Sequence, residues 1–502
     1  MKKILILLVV KVLAAIRRLV MHSDTALLLL FLPGFEKMRW KIGKMKAYSE
    51  FLHAKKRVPA YKDFLSKQDF RKVPFNGFTP EISAIPVMDK SNYVQKYSID
   101  ERCVGGMMPQ RGLIIDESSG STGMPTNWAR GTAERKANKR MLEFGLDQLL
   151  GKSAKFIINA FALGPWATGV NVTMAFVDNS ILKSLGPDRK KIENTLIFFG
   201  KKYHYVVMGY PPFLKSLVDT ADVDWKSYDV VFIYGGEGMS EAMRDYLLAK
   251  GVRKVYGSLG ASDLELNISA ENDFTVGLRK ELERNKALAA KLVRYPGTLP
   301  MIFQYNPMDF YIETDANGEL LMTLSRPHYI SPKIRYNIHD RGHVVRMPEL
   351  KKILKECHIE IEKFGKPSSD LPLLFHYGRA DMSVAYFGCK ISPADIQEVI
   401  FRLPELASHI SSFTIITYED EEVNKKLILC LELLEGKNPE EYHSPTLGKK
   451  IFDELKNVNQ DFRESFRMIP PGKEPVIEIH QTGNGPFANT DIRIKLKYIT
   501  KA

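Results

Sequence analysis

A chain of 502 residues with 72 Lys+Arg against 59 Asp+Glu carries a formal charge of +13. Its 44% hydrophobic and 26% charged residues are ordinary globular usage, which excludes a disordered or fibrous protein and leaves room for two to four domains. Four cysteines (Cys103, Cys357, Cys389, Cys430) without a C-x-x-C pair exclude a disulfide framework, and no Cys-based zinc site is readable. A reducing, cytoplasmic compartment fits. The basic excess is spread along the chain and reads as solvated surface, as attraction to an anionic cofactor, or as attraction to an anionic membrane face. Nucleic acid is not expected, because no Lys/Arg block with interleaved aromatics stands out.

The first twenty residues hold five basic side chains and no acid. Lys11 interrupts the apolar run and Arg17-Arg18 follow Ala14-Ala15, so a signal-peptide cleavage site is poorly formed. Neither this run nor Ala26 to Leu32 reaches the roughly 20 residues needed to span a bilayer. Residues 1–40 therefore read in two ways: a basic apolar segment lying on a membrane surface, or a helix packed on its own domain.

Met38 to Lys67 has a helical, basic pattern. Leu113 to Asp116 is a short apolar run before a Ser/Gly/Thr cluster, a strand feeding a loop. Leu142, Leu146, Leu149 and Leu150 recur at helical spacing, which predicts a helix over Thr132 to Leu150. Val230 to Tyr234 reads as a buried strand, followed by Gly235-Gly236 and a helix capped by Ser240, with Gly251 past its end. Strand, glycine turn, helix is α/β architecture.

A Lys/Glu-rich helix and the Lys366-Pro-Ser-Ser-Asp loop then lead to a smaller unit. There Met382 to Phe387, Phe413 to Tyr418, Leu427 to Leu433 and Val476 to His480 are strand-like. Ser392-Pro393-Ala394-Asp395 is a helix start, and Ile451, Leu455, Val458 and Phe462 mark a second helix. The boundaries expected are 1–40 for the N-terminal segment, 41–377 for a large domain and 378–502 for a small α+β domain.

Ser118-Ser119-Gly120-Ser121-Thr122-Gly123-Met124-Pro125-Thr126 is the most specific segment. Small hydroxylated residues and glycines let backbone N–H groups and hydroxyls converge on phosphate oxygens. It lacks the spacing of a Walker loop. With four further segments in order, the sequence resembles the adenylate-forming superfamily of acyl-CoA synthetases and peptide-synthetase adenylation domains, and most of all the phenylacetate–CoA ligase branch. These segments are Gly235-Gly236-Glu237-Gly238, Tyr256-Gly257-Ser258 through Asp263, Arg335 through Asp340-Arg341-Gly342, and Gly378-Arg379-Ala380-Asp381.

The resemblance spans roughly residues 50–500 and implies a large domain of mixed sheets with helices plus a small, mobile α+β domain. It implies activation of a carboxylic acid by ATP and Mg²⁺ to an acyl-adenylate, then transfer to a thiol. Coenzyme A is the expected thiol, with a phosphopantetheine carrier protein or a protein cysteine as alternatives. A family member without catalysis, acting as a binding protein, is the reading from a different class.

The same resemblance implies phosphate binding by Ser118, Ser119, Gly120, Ser121, Thr122, Gly123 and Thr126. Adenine and ribose would be held by Gly235, Gly236, Glu237, Tyr256, Gly257, Ser258 and Asp340. It implies a hinge at Arg379 and Asp381, an acyl pocket along Phe161 and Trp166, and Mg²⁺ at Asp263, with Glu265 as second candidate. Three positions depart from the family pattern. Thr126 stands where many members have lysine. The third motif starts at Tyr256 in one register but places its acid, Asp263, in another. The late Asn-Gly-Lys pattern is absent, so the catalytic lysine falls to Lys495, with Lys497 second. A location on the inner face of a membrane goes with the N-terminal segment.

Overall fold

The computed structural model describes residues 2–117, 126–164, 167–295, 298–326, 329–365, 369–379, 384–386, 389–419, 425–442, 445–459, 462–463, 466, 474–488 and 498–501. Its centre is an eleven-stranded sheet. In chain order the strands are β1 (Lys155–Asn159), β2 (Ile181–Ser184), β3 (His204–Gly209), β4 (Asp229–Gly235), β5 (Lys254–Leu259), β6 (Ser269–Ala270), β7 (Met301–Tyr305), β8 (Phe310–Thr314), β9 (Glu319–Leu324), β10 (Tyr336–Val345) and β11 (Leu373–Arg379). Across the sheet they run β8-β9-β10-β11-β7-β6-β5-β4-β3-β1-β2.

The half β2-β1-β3-β4-β5 is parallel throughout, and every pairing from β5 to β8 is antiparallel. Parallel strands require helical crossovers on both faces. Ile157, Val206, Val207, Val230, Val231 and Phe232 are accordingly fully buried, with β-branched residues filling the pleats.

Several sequence expectations are met at the residue level. The helix Thr132–Leu150 has the expected bounds, as does the strand Val476–His480. Ser240 caps the helix Glu241–Ala249 by accepting from Met243 N at 3.1 Å, and Ser392 caps Pro393–Arg402 in a full capping box. The helical stretch from Met38 to Lys67 is instead two helices, Glu36–Arg57 and Pro59–Ser66. Proline disfavours the helical conformation in the residue before it, and Val58 is extended at φ −107°, ψ 112°. Leu113–Glu117 pairs antiparallel with Asn127–Gly131, so the expected strand is one arm of a hairpin.

The second sheet, made of β12 (Ile410–Glu419), β13 (Lys425–Leu433), β14 (Val476–His480) and β15 (Ile499–Lys501), has the order β14-β13-β12-β15. The helices Pro393–Arg402 and Pro445–Val458 lie over it, enclosing a separate core of Ile396, Val399, Leu429, Leu431, Ile451 and Leu455.

At the N-terminus, α1 (Lys2–Val20) buries only Ile6, and α2 (Asp24–Phe31) buries only Leu27. Ion pairs from Arg17 to Asp309 and from Asp24 to Arg140 tie both helices to the large unit. Their outer faces leave Ile4, Leu5, Leu8, Val12, Ile16, Leu19, Leu28 and Leu29 exposed. Among the described residues no helix is long and apolar enough to cross a membrane.

Candidate active site

In an open parallel sheet, ligands bind outside the carboxyl ends of the strands where the strand order reverses. Here that point lies between β1 and β3. Phe161 follows β1 and Tyr210 follows β3, with their rings edge to face at 5.2 Å. Asn159, fully buried at the end of β1, donates to Gly169 O at 2.7 Å and accepts from Phe161 N at 3.1 Å. That exchange holds the bend aiming Phe161 at the crevice. Past β4 the chain turns through Gly236 at φ +87°, where an added Cβ would lie 2.2 Å from the Tyr210 ring. Only glycine passes there.

A cavity of about 1110 Å³ opens at this point, lined by Phe161, Gly235, Gly236, Tyr256, Gly257, Ser258 and Glu265. It extends between the helices Thr132–Leu150 and Ala167–Phe176 to Leu28, Phe31 and Leu32 at the N-terminus. The structure thus brings seven of the expected site residues around one space. The Tyr256–Ser258 wall is braced from behind. Glu271 accepts from Gly257 N at 2.6 Å and pairs with Arg244, which in turn pairs with Glu241.

Asp263 and Glu265 do not share a partner. Asp263 accepts from the Tyr336 hydroxyl at 2.8 Å, and among the described residues its other oxygen has only the Ser262 hydroxyl, 3.5 Å away. It keeps acceptor capacity suited to a hydrated Mg²⁺. Glu265 accepts from Tyr329 at 3.1 Å and lies 3.5 Å from the Arg326 guanidinium, which occupies its charge. Arg130, in the strand after Thr126, donates to Leu264 O at 2.6 Å and to Ser262 O, fixing the turn that carries both acids.

Asp340 stands away from the cavity lining, on β10 opposite Arg379 of β11. His376 lies 2.8 Å from its carboxylate. Glu237 accepts from the Tyr498 hydroxyl at 3.0 Å, so the last strand of the small unit reaches the turn after β4. Gln397 and Glu398 of the small unit accept from Ser240 N and Ala242 N at 2.8 and 3.4 Å, and Lys215 donates to Ile410 O at 2.7 Å. Ser118 to Gly123, Trp166, Asp381, Lys495 and Lys497 lie outside the described residues.

Sequence reasoning missed a group of cations around Trp128. Lys333, 2% exposed, has its ammonium 4.6 Å from the Trp128 ring centre, and Arg102 stacks over the same ring at 5.6 Å. Burial, reinforced by Arg130 and Arg102, pushes the Lys333 ammonium down to about 7. Nothing in the local pattern Ser331-Pro332-Lys333-Ile334 announces a buried lysine. Only its place just before the Arg335–Gly342 motif could have drawn attention to it.

No protein-family model matches the chain, and no curated protein matches it in sequence. Solved structures do. A 2-hydroxyisobutyryl-CoA ligase in the postadenylation state, in complex with R3-HIB-AMP, superposes with a TM-score of 0.66 at 12% identity over 94% of this chain and 91% of that one. This chain has the adenylate-forming ligase fold. The same ligase with 2-HIB-AMP and CoA in the thioesterification state gives 0.52 at 14% identity over 94% and 91%. Its open conformation gives 0.50 at 13% identity over 94% and 92%.

Proposed function

We propose that the chain activates a carboxylic acid with ATP and Mg²⁺ and transfers the acyl group to the thiol of coenzyme A. The observation that carries this reading is the cavity at the sheet's switch point, which joins the apolar end at Phe161 to the turn at Gly235–Gly236 and Tyr256–Ser258. In the first half-reaction a carboxylate oxygen attacks the α-phosphorus and pyrophosphate leaves. Two anions meet, so positioning and electrostatic stabilisation supply most of the catalysis. In this reading Ser118 to Gly123 and Thr126 hold phosphates, Asp340 accepts the ribose hydroxyls, and Asp263 rather than Glu265 holds the Mg²⁺. Lys495, or else Lys497, brings an ammonium to the acyl oxygen. The Tyr498–Glu237 bond supports that placement, because it seats the residue just after these lysines on the adenine turn. In the second half-reaction the thiolate attacks the acyl carbon and AMP leaves, after the small unit turns about Arg379 and Asp381.

The acid is expected to have a bulky apolar tail, since the space continues past Phe161 between helices to Leu28 and Phe31. A carrier-protein phosphopantetheine is the second acceptor. ATP–pyrophosphate exchange with a panel of acyl and aryl acids, with hydroxylamine trapping of the adenylate, tests the reading. A catalytically inactive binding protein gives no exchange with any acid. In addition, the exposed apolar face of α1 and its basic residues Lys2, Lys3, Lys11 and Arg18 suit the anionic inner face of a membrane. Flotation with anionic vesicles at low salt, lost at high salt or on deletion of residues 1–35, checks this.

A further inference from the structure

The second sheet carries a cluster that acid activation does not use. Strands β13 and β14 run parallel in the register Cys430↔Glu478 and Glu432↔His480. Residues two apart on a strand share a face. Leu429, Leu431, Leu433 and Ile479 point into the core of the small unit, so Cys430, Glu432, Glu478 and His480 stand together on the opposite face. Cys430 Sγ is 3.7 Å from Glu478 Oε2, and His480 Nε2 is 3.2 Å from that same oxygen. One ligand atom from each of these three lies within 4.8 Å of the others.

We propose that Cys430, Glu478 and His480 bind a zinc ion. Sulfur, oxygen and nitrogen ligands at about 2.0–2.3 Å from a tetrahedral zinc stand roughly 3.3–3.8 Å from one another, close to the two contacts of 3.7 and 3.2 Å. A thiolate with an imidazole and a carboxylate selects zinc over Mg²⁺ or Ca²⁺, which take oxygen ligands. Binding converts the Cys430 thiol to thiolate and releases its proton to solvent. Glu432, buried beside His480 and accepting from Gly483 N at 2.9 Å, or a water fills the fourth position.

The surrounding chain orients the ligands. Thr482 donates to Leu433 O at 2.8 Å, and Phe487, 2% exposed, packs its ring 5.8 Å from that of His480. Gly485, at φ +58°, runs so close that an added Cβ would lie 2.5 Å from His480 Nδ1. The imidazole is thereby held with Nε2 toward Glu478 and Cys430. A metal here ties the edge strand β14 to β13 next to the segment Gln481–Ala488. No local pattern announces this site, because Cys430 and Glu478 are 48 positions apart.

The test is cobalt(II) titration of the untagged full-length chain, with metal content by mass spectrometry after dialysis. The expected result is one metal per chain and a thiolate-to-cobalt charge-transfer band displaced by Zn²⁺. Cys430→Ser should lose the band, and His480→Asn should weaken Zn²⁺ at least ~10-fold with the fold intact by circular dichroism. Absence of the band in the unmodified chain overturns the proposal. So does its survival in Cys430→Ser, which would place the thiolate at another cysteine, or unchanged affinity in His480→Asn. Should Cys430→Ser not fold, the His480→Asn affinity decides.

Discussion

The two halves of the large sheet differ in what they carry. The parallel half contributes shape. Its inner strands β1, β3 and β4 are largely buried on both faces, and the crevice is made by where they stop and by the glycine turn after β4. The antiparallel half carries charge, because β9, β10 and β11 have partly exposed faces that tolerate Glu319, Asp340, His376 and Arg379. Where strands run parallel, the cavity follows from topology. Where they run antiparallel, the register decides which side chains meet. A substitution behind the parallel half should therefore act through stability, and one on the antiparallel half through ligand affinity.

The largest effect is expected at Arg244. Its guanidinium is fully buried between Glu241 at 3.0 Å and Glu271 at 2.8 Å, and it also donates to Val255 O. Arg244→Met leaves the buried Glu271 without its cation and Glu241 with Arg279 alone, which costs about 3–5 kcal/mol. Urea denaturation should show the midpoint falling accordingly. A loss under about 1 kcal/mol would mean that Arg279, which also pairs with Glu241, suffices to hold the Tyr256–Ser258 wall.

Much of this architecture is legible in the sequence where the signal is local. Ser240 and Ser392 announce their helices because a cap is a short-range hydrogen bond. The strands Asp229–Gly235 and Val476–His480 stand out because their neighbours are turn formers. The glycine turn, Tyr256–Ser258 and Phe161 were found by their likeness to a known pattern, and they do line one cavity. The order of eleven strands was not legible, since strand pairing is set by contacts far apart in the chain. Nor was the burial of Lys333, Arg130 and Asn159, whose neighbours in sequence say nothing of Trp128, Leu264 or Gly169. At Val58-Pro59 the proline divides one expected helix into two.

A smaller effect is expected in the antiparallel half. Asp340 is partly exposed and bonded to His376 at 2.8 Å, so Asp340→Ala should leave the unfolding midpoint nearly unchanged. If it accepts ribose hydroxyls, ATP affinity should fall by about 1.5–3 kcal/mol, as for loss of hydrogen bonds to a charged group. Calorimetric titration with ATP measures this. Unchanged affinity in the folded variant would remove Asp340 from the nucleotide site and leave its contact with His376 a purely structural pair.

The prediction that separates shape from charge most sharply concerns Lys333. Its ammonium donates to the Ser331 carbonyl and hydroxyl at 3.2 Å each, yet burial and the nearby Arg130 and Arg102 push it down to about 7. In the unfolded chain a lysine keeps its proton until about pH 10.4. Between those limits the unfolded state binds one more proton than the folded state, so this residue makes stability rise with pH, by at most about 1.4 kcal/mol per unit. Below pH 7 both states are protonated and the full penalty stands. Lys333→Met should stabilise the fold at neutral pH and flatten its pH dependence from 7 to 10. If the cation also faces the phosphates held by the Ser118–Gly123 loop, nucleotide affinity should move the other way. It should be strongest below pH 7 and weaken above it, and the variant should bind ATP weakly at every pH. A variant that gains stability while keeping the ATP affinity and its pH profile would assign Lys333 to the core alone.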